Sequence, residues 1–143
     1  WTLNTVYAAL ADRGVHLPGT LLKPSMVNSA SDADNRADVE KVASETLRCL
    51  KATAPAEVPG IMFLSGGQSE VEATAHLSAM NAMGGGPWEL SFSYGRALQQ
   101  SALYTWGGDS TNCTAAQAAF LHRAQLNGAA RYGTYTAAME AEA

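Results

Sequence analysis

The chain has 143 residues, of which 47% are hydrophobic, a content typical of a single globular domain with a buried core. Its formal net charge is −4, so we expect no broad electrostatic binding to nucleic acid or to an anionic membrane. No apolar run approaches the roughly 20 residues that a membrane-spanning helix needs. The two cysteines, Cys49 and Cys113, lie far apart behind a start that does not resemble a signal peptide. This favours reduced thiols and a reducing compartment.

Short apolar runs alternate with longer segments of helical periodicity along the chain. In chain order, the pattern predicts a helix over 3–14, a strand over 19–27, a helix over 37–53, a strand over 60–65, a helix over 69–83, a strand over 88–95, and helices over 96–106 and 114–128. Ser69 and Glu72 have the spacing of a capping box, and so do Thr114 and Gln117. Gly128 is the predicted end of the last helix.

The alternation of strands and helices predicts an α/β fold with right-handed crossovers and a parallel sheet. The strands are nearly continuously apolar, which is typical of strands that are covered on both faces. A closed eight-stranded barrel needs about 250 residues, so this chain can supply only part of one. We predict one domain over 1–135 and a tail over 136–143, in which we find no packing face.

The first candidate for chemistry is Lys23, at the end of the first predicted strand. Burial at a strand end disfavours the ammonium form, and a neutral amine is the form that attacks a carbonyl to give a Schiff base. We therefore expect Lys23 to sit in a poorly solvated place. The alternative is that its stem covers apolar surface while its head lies in water.

Two further candidates follow the second and third predicted strands. Ser65, Gly66 and Gly67 precede a helix, where glycines let backbone N–H groups approach phosphate oxygens. Arg96 follows Gly95 at the start of the next helix, and its planar guanidinium can donate two hydrogen bonds to a phosphate. Each also has a plain alternative, an ordinary Gly-Gly turn and a solvated first-turn arginine. Their common position after successive strands favours one shared site, because barrel enzymes place their active sites at that end of the sheet.

Four segments carry a family resemblance: "GTLLKPSMV", "FLSGGQSEVEA", "PWELSFSYGRALQQSAL", and "WGG" followed by "AAQAAFLHRAQLNGAARYGTY". From about Val6 to Tyr135 the chain closely resembles the C-terminal part of class I fructose-bisphosphate aldolase. The resemblance implies a (β/α)8 TIM barrel, incomplete in this chain, to which these residues contribute the sixth to eighth strands. It also implies that Lys23 is the Schiff-base lysine. The positions implied to bind a substrate phosphate are Leu64, Ser65, Gly66, Gly95 and Arg96.

The reaction that the resemblance implies is reversible cleavage of fructose 1,6-bisphosphate, in glycolysis and gluconeogenesis or in the Calvin cycle. An iminium on Lys23 would withdraw electrons from the adjacent carbon–carbon bond, so no metal or other cofactor is expected. The histidines, His16, His76 and His122, are dispersed without zinc-ligand spacing, and we interpret them as surface or packing residues.

The sequence also departs from the family pattern. The first five strands, with their proton-handling and second-phosphate groups, are not in this chain, and Asn28-Ser29-Ala30 replaces the usual Thr-Pro-Gly. The sequence ends at Ala143 without the terminal tyrosine of the family. The expected partners are therefore a sugar phosphate, an N-terminal half-barrel in the same or another chain, and further copies in a homotetramer. The resemblance leaves the cytoplasm and the plastid as alternative locations.

Two other functions compete with this interpretation. An aldolase-derived scaffold or binding module would have no use for Lys23, Ser65 and Arg96 together. Another Schiff-base barrel, such as a transaldolase, would share the lysine but would not explain the Ser-Gly-Gly and Tyr-Gly-Arg motifs. A trapped Schiff base separates the enzyme from the scaffold, and competition by sugar bisphosphates separates the two enzymes.

Overall fold

The computed structural model describes residues 1–30 and 32–141. The main elements in chain order are α1 (Thr2–Asp12), β1 (Leu21–Leu22), α2 (Val39–Thr53), β2 (Gly60–Phe63), α3 (Glu70–Ala82), β3 (Glu89–Phe92), α4 (Arg96–Trp106) and α5 (Cys113–Arg131). Short 3-10 turns lie at Leu17–Gly19, Ser110–Asn112 and Ala137–Ala141. The predicted order of strands and helices is confirmed. Within the described ranges, no helix is both long and apolar enough to span a bilayer.

The three strands form one parallel sheet in the order β1-β2-β3. Leu21 pairs with Gly60, and Ile61 pairs with Leu90. Because neighbours in sequence are neighbours in the sheet, each crossover returns the chain to the adjacent position, as in successive units of a barrel. This arrangement confirms the prediction of an incomplete (β/α)8 barrel.

Only one face of the sheet is fully buried. Ile61 and Phe63 have no exposed surface and join the hydrophobic core that includes residues of α2 and α3. Between them in sequence lies Met62, which is only partly buried, and Leu21 is 62% exposed. The expectation of two covered faces is therefore wrong for the described residues, because the core lies against one face and alternate side chains point to the other.

The capping box at the start of α3 is confirmed. The Ser69 hydroxyl accepts a hydrogen bond from the Glu72 N–H at 3.2 Å, and Glu72 Oε2 accepts one from the Ser69 N–H at 2.9 Å. The Ser69 N–H bond is the largest influence on Glu72, and with the Ser69 side-chain bond and the Arg36 charge it keeps the pKa of this carboxyl below its ordinary value despite partial burial. This cap holds the first turn of the helix that follows the glycine motif.

The predictions for α5 are wrong at both ends. The helix begins at Cys113 after Asn112, so Thr114 lies inside its first turn and is not the cap. Gly128 does not end the helix, which continues to Arg131. Continuation places Ala130 in the core with no exposed surface, and this packing outweighs the low helix propensity of one glycine.

Replacing Ser69 with alanine is expected to lower the free energy of unfolding by about 1 kcal/mol, because one N-terminal amide of α3 loses its acceptor. Thr114→Ala is the matched control. It should change stability by less than about 0.5 kcal/mol, because Thr114 caps nothing. Urea unfolding monitored by circular dichroism measures both values. Equal losses in the two variants would contradict the capping role of Ser69.

The segment after residue 135 packs through Glu140, contrary to the expectation that it lacks a packing contact. Its carboxylate accepts two hydrogen bonds from the buried Arg123, at 2.6 and 2.9 Å, and one from the Tyr135 hydroxyl at 2.8 Å. Because an unpaired charge is costly to bury, the nearly buried Arg123 guanidinium needs the Glu140 carboxylate as its partner. The boundary between 135 and 136 stays a prediction. Glu142 and Ala143 lie outside the described residues.

Candidate active site

The carboxyl ends of the three strands bring the candidate residues to one edge of the sheet. Lys23 follows β1 directly, the glycine motif follows β2, and Arg96 comes four residues after β3. The ladder continues past the assigned strands, because the Leu64 N–H donates to the Pro24 carbonyl at 3.0 Å and the Ser93 N–H donates to the Phe63 carbonyl at 2.8 Å. These bonds hold the segments that follow the three strands side by side.

Lys23 reaches across the end of β2 to the segment that follows β3. Its Nζ donates a hydrogen bond to Ser93 Oγ at 3.0 Å. The expectation that Lys23 lies in a poorly solvated place is wrong for this chain, because its side chain is exposed. Among the described residues β1 pairs only with β2, so its other edge is uncovered.

Ser93 is a site residue that the sequence analysis missed. Ser91 and Ser93 alternate in the stretch "SFSYG", and a period of two places both on one face of the strand. That pattern could have indicated a polar face at the carboxyl end of β3. It could not indicate the contact with Lys23, which joins residues 70 positions apart.

Ser65, Gly66 and Gly67 form a tight turn between β2 and α3. The Ser65 carbonyl accepts the Gln68 backbone N–H at 2.9 Å, and Gly66 and Gly67 have φ of +41° and +79°. Positive φ at both central positions is the pattern of a mirror-image turn, which glycine adopts without steric strain. A Cβ on Gly66 would also lie only 3.0 Å from Leu64 Cδ1. The turn therefore carries bare backbone at the sheet edge, beside the N-terminus of α3.

Gly95 and Arg96 occupy the corresponding position after β3. Gly95 precedes the first turn of α4 with φ of −91°, a value open to any residue, and Arg96 begins the helix. The Arg96 side chain is exposed. The arginine ion pairs of the described residues are formed by Arg36, Arg48, Arg123 and Arg131. Arg96 is thus a cation at a helix N-terminus, an arrangement that attracts anions.

A buried polar pair lies directly behind the glycine turn. Gln68 Nε2 donates to the Ser65 carbonyl at 2.9 Å, and Gln68 Oε1 is 2.6 Å from His76 Nδ1. Burial is the largest influence on His76 and lowers the pKa of its imidazole below the ordinary value. The earlier interpretation of the histidines did not connect His76 to the site. Among the described residues, no three His, Cys, Asp or Glu side chains gather as a metal site would require.

A parallel sheet with crossover helices, and with polar groups collected at the carboxyl ends of its strands, defines a segment of a (β/α)8 barrel. The family model described as fructose-bisphosphate aldolase class-I matches residues 1–143. The chain belongs to this family.

Relatives and a solved structure agree on this assignment. The chain is 54% identical over 137 residues to the cytoplasmic fructose-bisphosphate aldolase isozyme 2 of Pisum sativum, covering 95% of this chain and 38% of that protein. It is 53% identical to the chloroplastic fructose-bisphosphate aldolase 1 of Arabidopsis thaliana, covering 96% of this chain and 34% of that protein.

The solved structure is fructose-bisphosphate aldolase from Plasmodium falciparum, in a complex with TRAP and a small molecule inhibitor. It superposes with a TM-score of 0.90 at 46% identity, covering 94% of this chain and 39% of that one. The chain thus spans a little over a third of the length of these relatives, and the resemblance found from the motifs is confirmed.

Proposed function

We propose that this chain supplies the Schiff-base lysine and one phosphate site of a class I fructose-bisphosphate aldolase. The enzyme would reversibly cleave fructose 1,6-bisphosphate into dihydroxyacetone phosphate and glyceraldehyde 3-phosphate. One observation carries the proposal: Lys23, the glycine turn and Arg96 follow three adjacent parallel strands at the same end. A nucleophile and an anion site at one edge can hold the carbonyl carbon and a phosphate of a single phosphorylated ketose.

The chemistry assigned to Lys23 begins with attack of its neutral amine on the ketose C2 carbonyl. Loss of water from the carbinolamine leaves an iminium, which accepts the electron pair of the C3–C4 bond when the C4 hydroxyl loses its proton. The aldehyde departs, the resulting enamine is protonated at C3, and water releases the ketone and restores the amine. Ser93 Oγ, 3.0 Å from Lys23 Nζ, would orient the amine towards the carbonyl. The base for the C4 hydroxyl would come from the rest of the barrel.

The phosphate site would combine backbone and side-chain donors from two strand ends. The Gly66 N–H and the Ser65 hydroxyl belong to the glycine turn, and the Arg96 guanidinium adds a positive charge. Leu64 and Gly95 form the adjacent backbone. Backbone N–H donors and a guanidinium together suit a phosphate better than either alone. The guanidinium can bind two phosphate oxygens while the N–H groups bind another.

The exposed edge and uncovered face of the sheet require a partner. Leu21, 62% exposed on that face, is an apolar residue that the rest of a barrel would bury. We propose that the remaining five strands cover it, in the same polypeptide or in a separate chain, and that the complete barrels assemble as a homotetramer. The cytoplasm is the proposed compartment, with the plastid as the alternative, and the pathway is glycolysis and gluconeogenesis or the Calvin cycle.

Borohydride reduction in the presence of dihydroxyacetone phosphate tests the proposal. The polypeptide that carries this chain should gain the mass of one reduced adduct, and peptide mapping should place it on Lys23 and not on Lys41 or Lys51, the other lysines. Fructose 1,6-bisphosphate should compete with the adduct. A polypeptide that gains no adduct would reject the aldolase proposal in favour of a scaffold.

Replacing Arg96 with alanine is expected to weaken the binding of dihydroxyacetone phosphate by about tenfold or more, because the phosphate loses the charge-assisted hydrogen bonds of the guanidinium. Binding of unphosphorylated dihydroxyacetone should not change. Arg48→Ala is the matched control, since Arg48 is exposed on α2 and pairs only with Glu45 among the described residues. Calorimetric titration measures the affinity of the Arg96 variant for both ketones and the affinity of the control for dihydroxyacetone phosphate. Equal losses for both ketones would contradict a phosphate role for Arg96.

A further inference from the structure

His76 and Gln68 form a buried pair whose hydrogen bonds lead to the glycine turn. Only 5% of His76 and 6% of Gln68 are exposed. Polar groups buried to this extent need partners, and both ends of the Gln68 amide have one. Nε2 bonds the Ser65 carbonyl at 2.9 Å, and Oε1 lies 2.6 Å from His76 Nδ1.

The direction of each hydrogen bond follows from the chemistry of the partners. The Ser65 carbonyl can only accept, so the Gln68 group facing it must be the NH2. The carbonyl of Gln68 therefore faces His76, and His76 must carry its hydrogen on Nδ1 and donate it. Each group in this series therefore has a single workable orientation, and the Nδ1–H of His76 on α3 holds the Gln68 amide in it.

The series ends on the peptide group that bears the Gly66 N–H. The Ser65 carbonyl accepts from both the backbone N–H and the side chain of Gln68, which aims it towards the start of α3. In a trans peptide the carbonyl and the following N–H point in opposite directions. No peptide bond of the described chain is cis, so holding the Ser65 carbonyl inwards turns the Gly66 N–H away from α3.

We propose that His76 is a positioning residue for phosphate binding, acting through Gln68 to fix the orientation of the Ser65–Gly66 peptide. The inference rests on the proposed phosphate site and goes beyond it, because neither His76 nor Gln68 is among the proposed phosphate ligands. Backbone strain does not hold the turn in place, since glycine moves freely between regions of φ and ψ. The orientation therefore depends on the two donors from Gln68, and the side-chain donor depends on His76.

Three variants of the whole polypeptide test the role of His76, with inorganic phosphate as the calorimetric probe. His76→Leu removes the donor and should raise the phosphate Kd about threefold to tenfold, the effect of one hydrogen bond. His76→Asn keeps an amide donor near the place of Nδ1 and should stay within about twofold of the wild type. Ser78→Ala, a buried polar change on the same helix, should leave the Kd unchanged.

A double-variant cycle separates positioning from general damage. Gln68→Met removes both side-chain hydrogen bonds and should weaken phosphate binding at least as much as His76→Leu. In the Gln68→Met background, His76→Leu should add no further loss, because His76 acts only through Gln68. Schiff-base trapping of unphosphorylated dihydroxyacetone on Lys23 should be equal in all variants.

The outcomes reject the proposals separately. A His76→Leu Kd equal to that of the wild type, additive losses in the double variant, or parallel losses for phosphate and unphosphorylated ketone would overturn the role of His76 alone. A wild-type protein that traps dihydroxyacetone on Lys23 and does not bind phosphate would reject the phosphate site and the positioning role together. A wild-type protein that traps no ketone would reject the proposed catalysis.

Discussion

Replacement of Lys23 by arginine is expected to eliminate the borohydride-stable adduct and to lower fructose 1,6-bisphosphate cleavage by at least about 10³-fold. Arginine keeps the positive charge and can still donate to Ser93 Oγ, which lies 3.0 Å from Lys23 Nζ in the unchanged protein. Its guanidinium stays protonated at any working pH and cannot form the iminium. A cleavage assay coupled to reduction of the triose phosphate measures the rate, and intact mass measures the adduct.

Lys51→Arg is the control for this variant, because Lys51 is an exposed lysine in the last turn of α2, away from the carboxyl ends of the strands. It should retain the full rate and the full adduct. Phosphate binding measured with inorganic phosphate should survive in the Lys23 variant, which shows that the site is folded. An adduct that persists in Lys23→Arg and maps to Lys41 or Lys51 would contradict the assignment of the nucleophile.

Replacement of Arg123 by methionine is expected to lower the free energy of unfolding by about 3 to 5 kcal/mol. Only 6% of Arg123 is exposed, and its guanidinium bonds Glu140 at 2.6 and 2.9 Å. It also lies 4.0 Å from the carboxylate of Glu70. Methionine restores the apolar stem and leaves two partly buried carboxylates without their cation. Urea unfolding of the wild type and the variant at pH 7 measures the loss.

Arg131→Met is the matched control, because the Arg131–Glu89 ion pair is short at 2.7 Å yet its Glu89 side chain is 70% exposed. Solvent screens such pairs, so the expected loss is below about 1 kcal/mol. Similar losses for the two arginines would show that burial does not decide the strength of these contacts.

The Arg123–Glu140 pair should also make stability depend on acid. Burial is the largest single influence and raises the pKa of Glu140, but hydrogen bonds from Arg123 and Tyr135 and the Arg123 charge together hold it below its ordinary value. A carboxyl with a lowered folded-state pKa contributes stability above its unfolded pKa of about 4.5 and loses it as the pH falls through the folded value. The stability difference between wild type and Arg123→Met should therefore shrink below about pH 4.5. A constant difference down to pH 2 would contradict this linkage.

The sequence was sufficient for the local part of the fold. The periodicity of the apolar residues and the positions of glycine and proline located every main helix and strand. The spacing of Ser69 and Glu72 identified a capping box that the structure contains. These signals are local, because a helix or a cap is decided by residues three or four positions apart. The same spacing at Thr114 was misleading, since α5 begins one residue earlier, at Cys113, directly after a 3-10 turn that Asp109 caps.

The sequence by itself also determined the family, the parallel sheet and the order of the lysine, glycine and arginine motifs along the chain. Only the tertiary structure decided that Lys23 meets Ser93, that His76 holds Gln68 behind the turn, and that Arg123 anchors Glu140. These contacts join side chains from separate elements, and their existence depends on distance and direction in space. Periodicity along a chain reports which face a residue occupies, whereas packing decides which side chain it meets there.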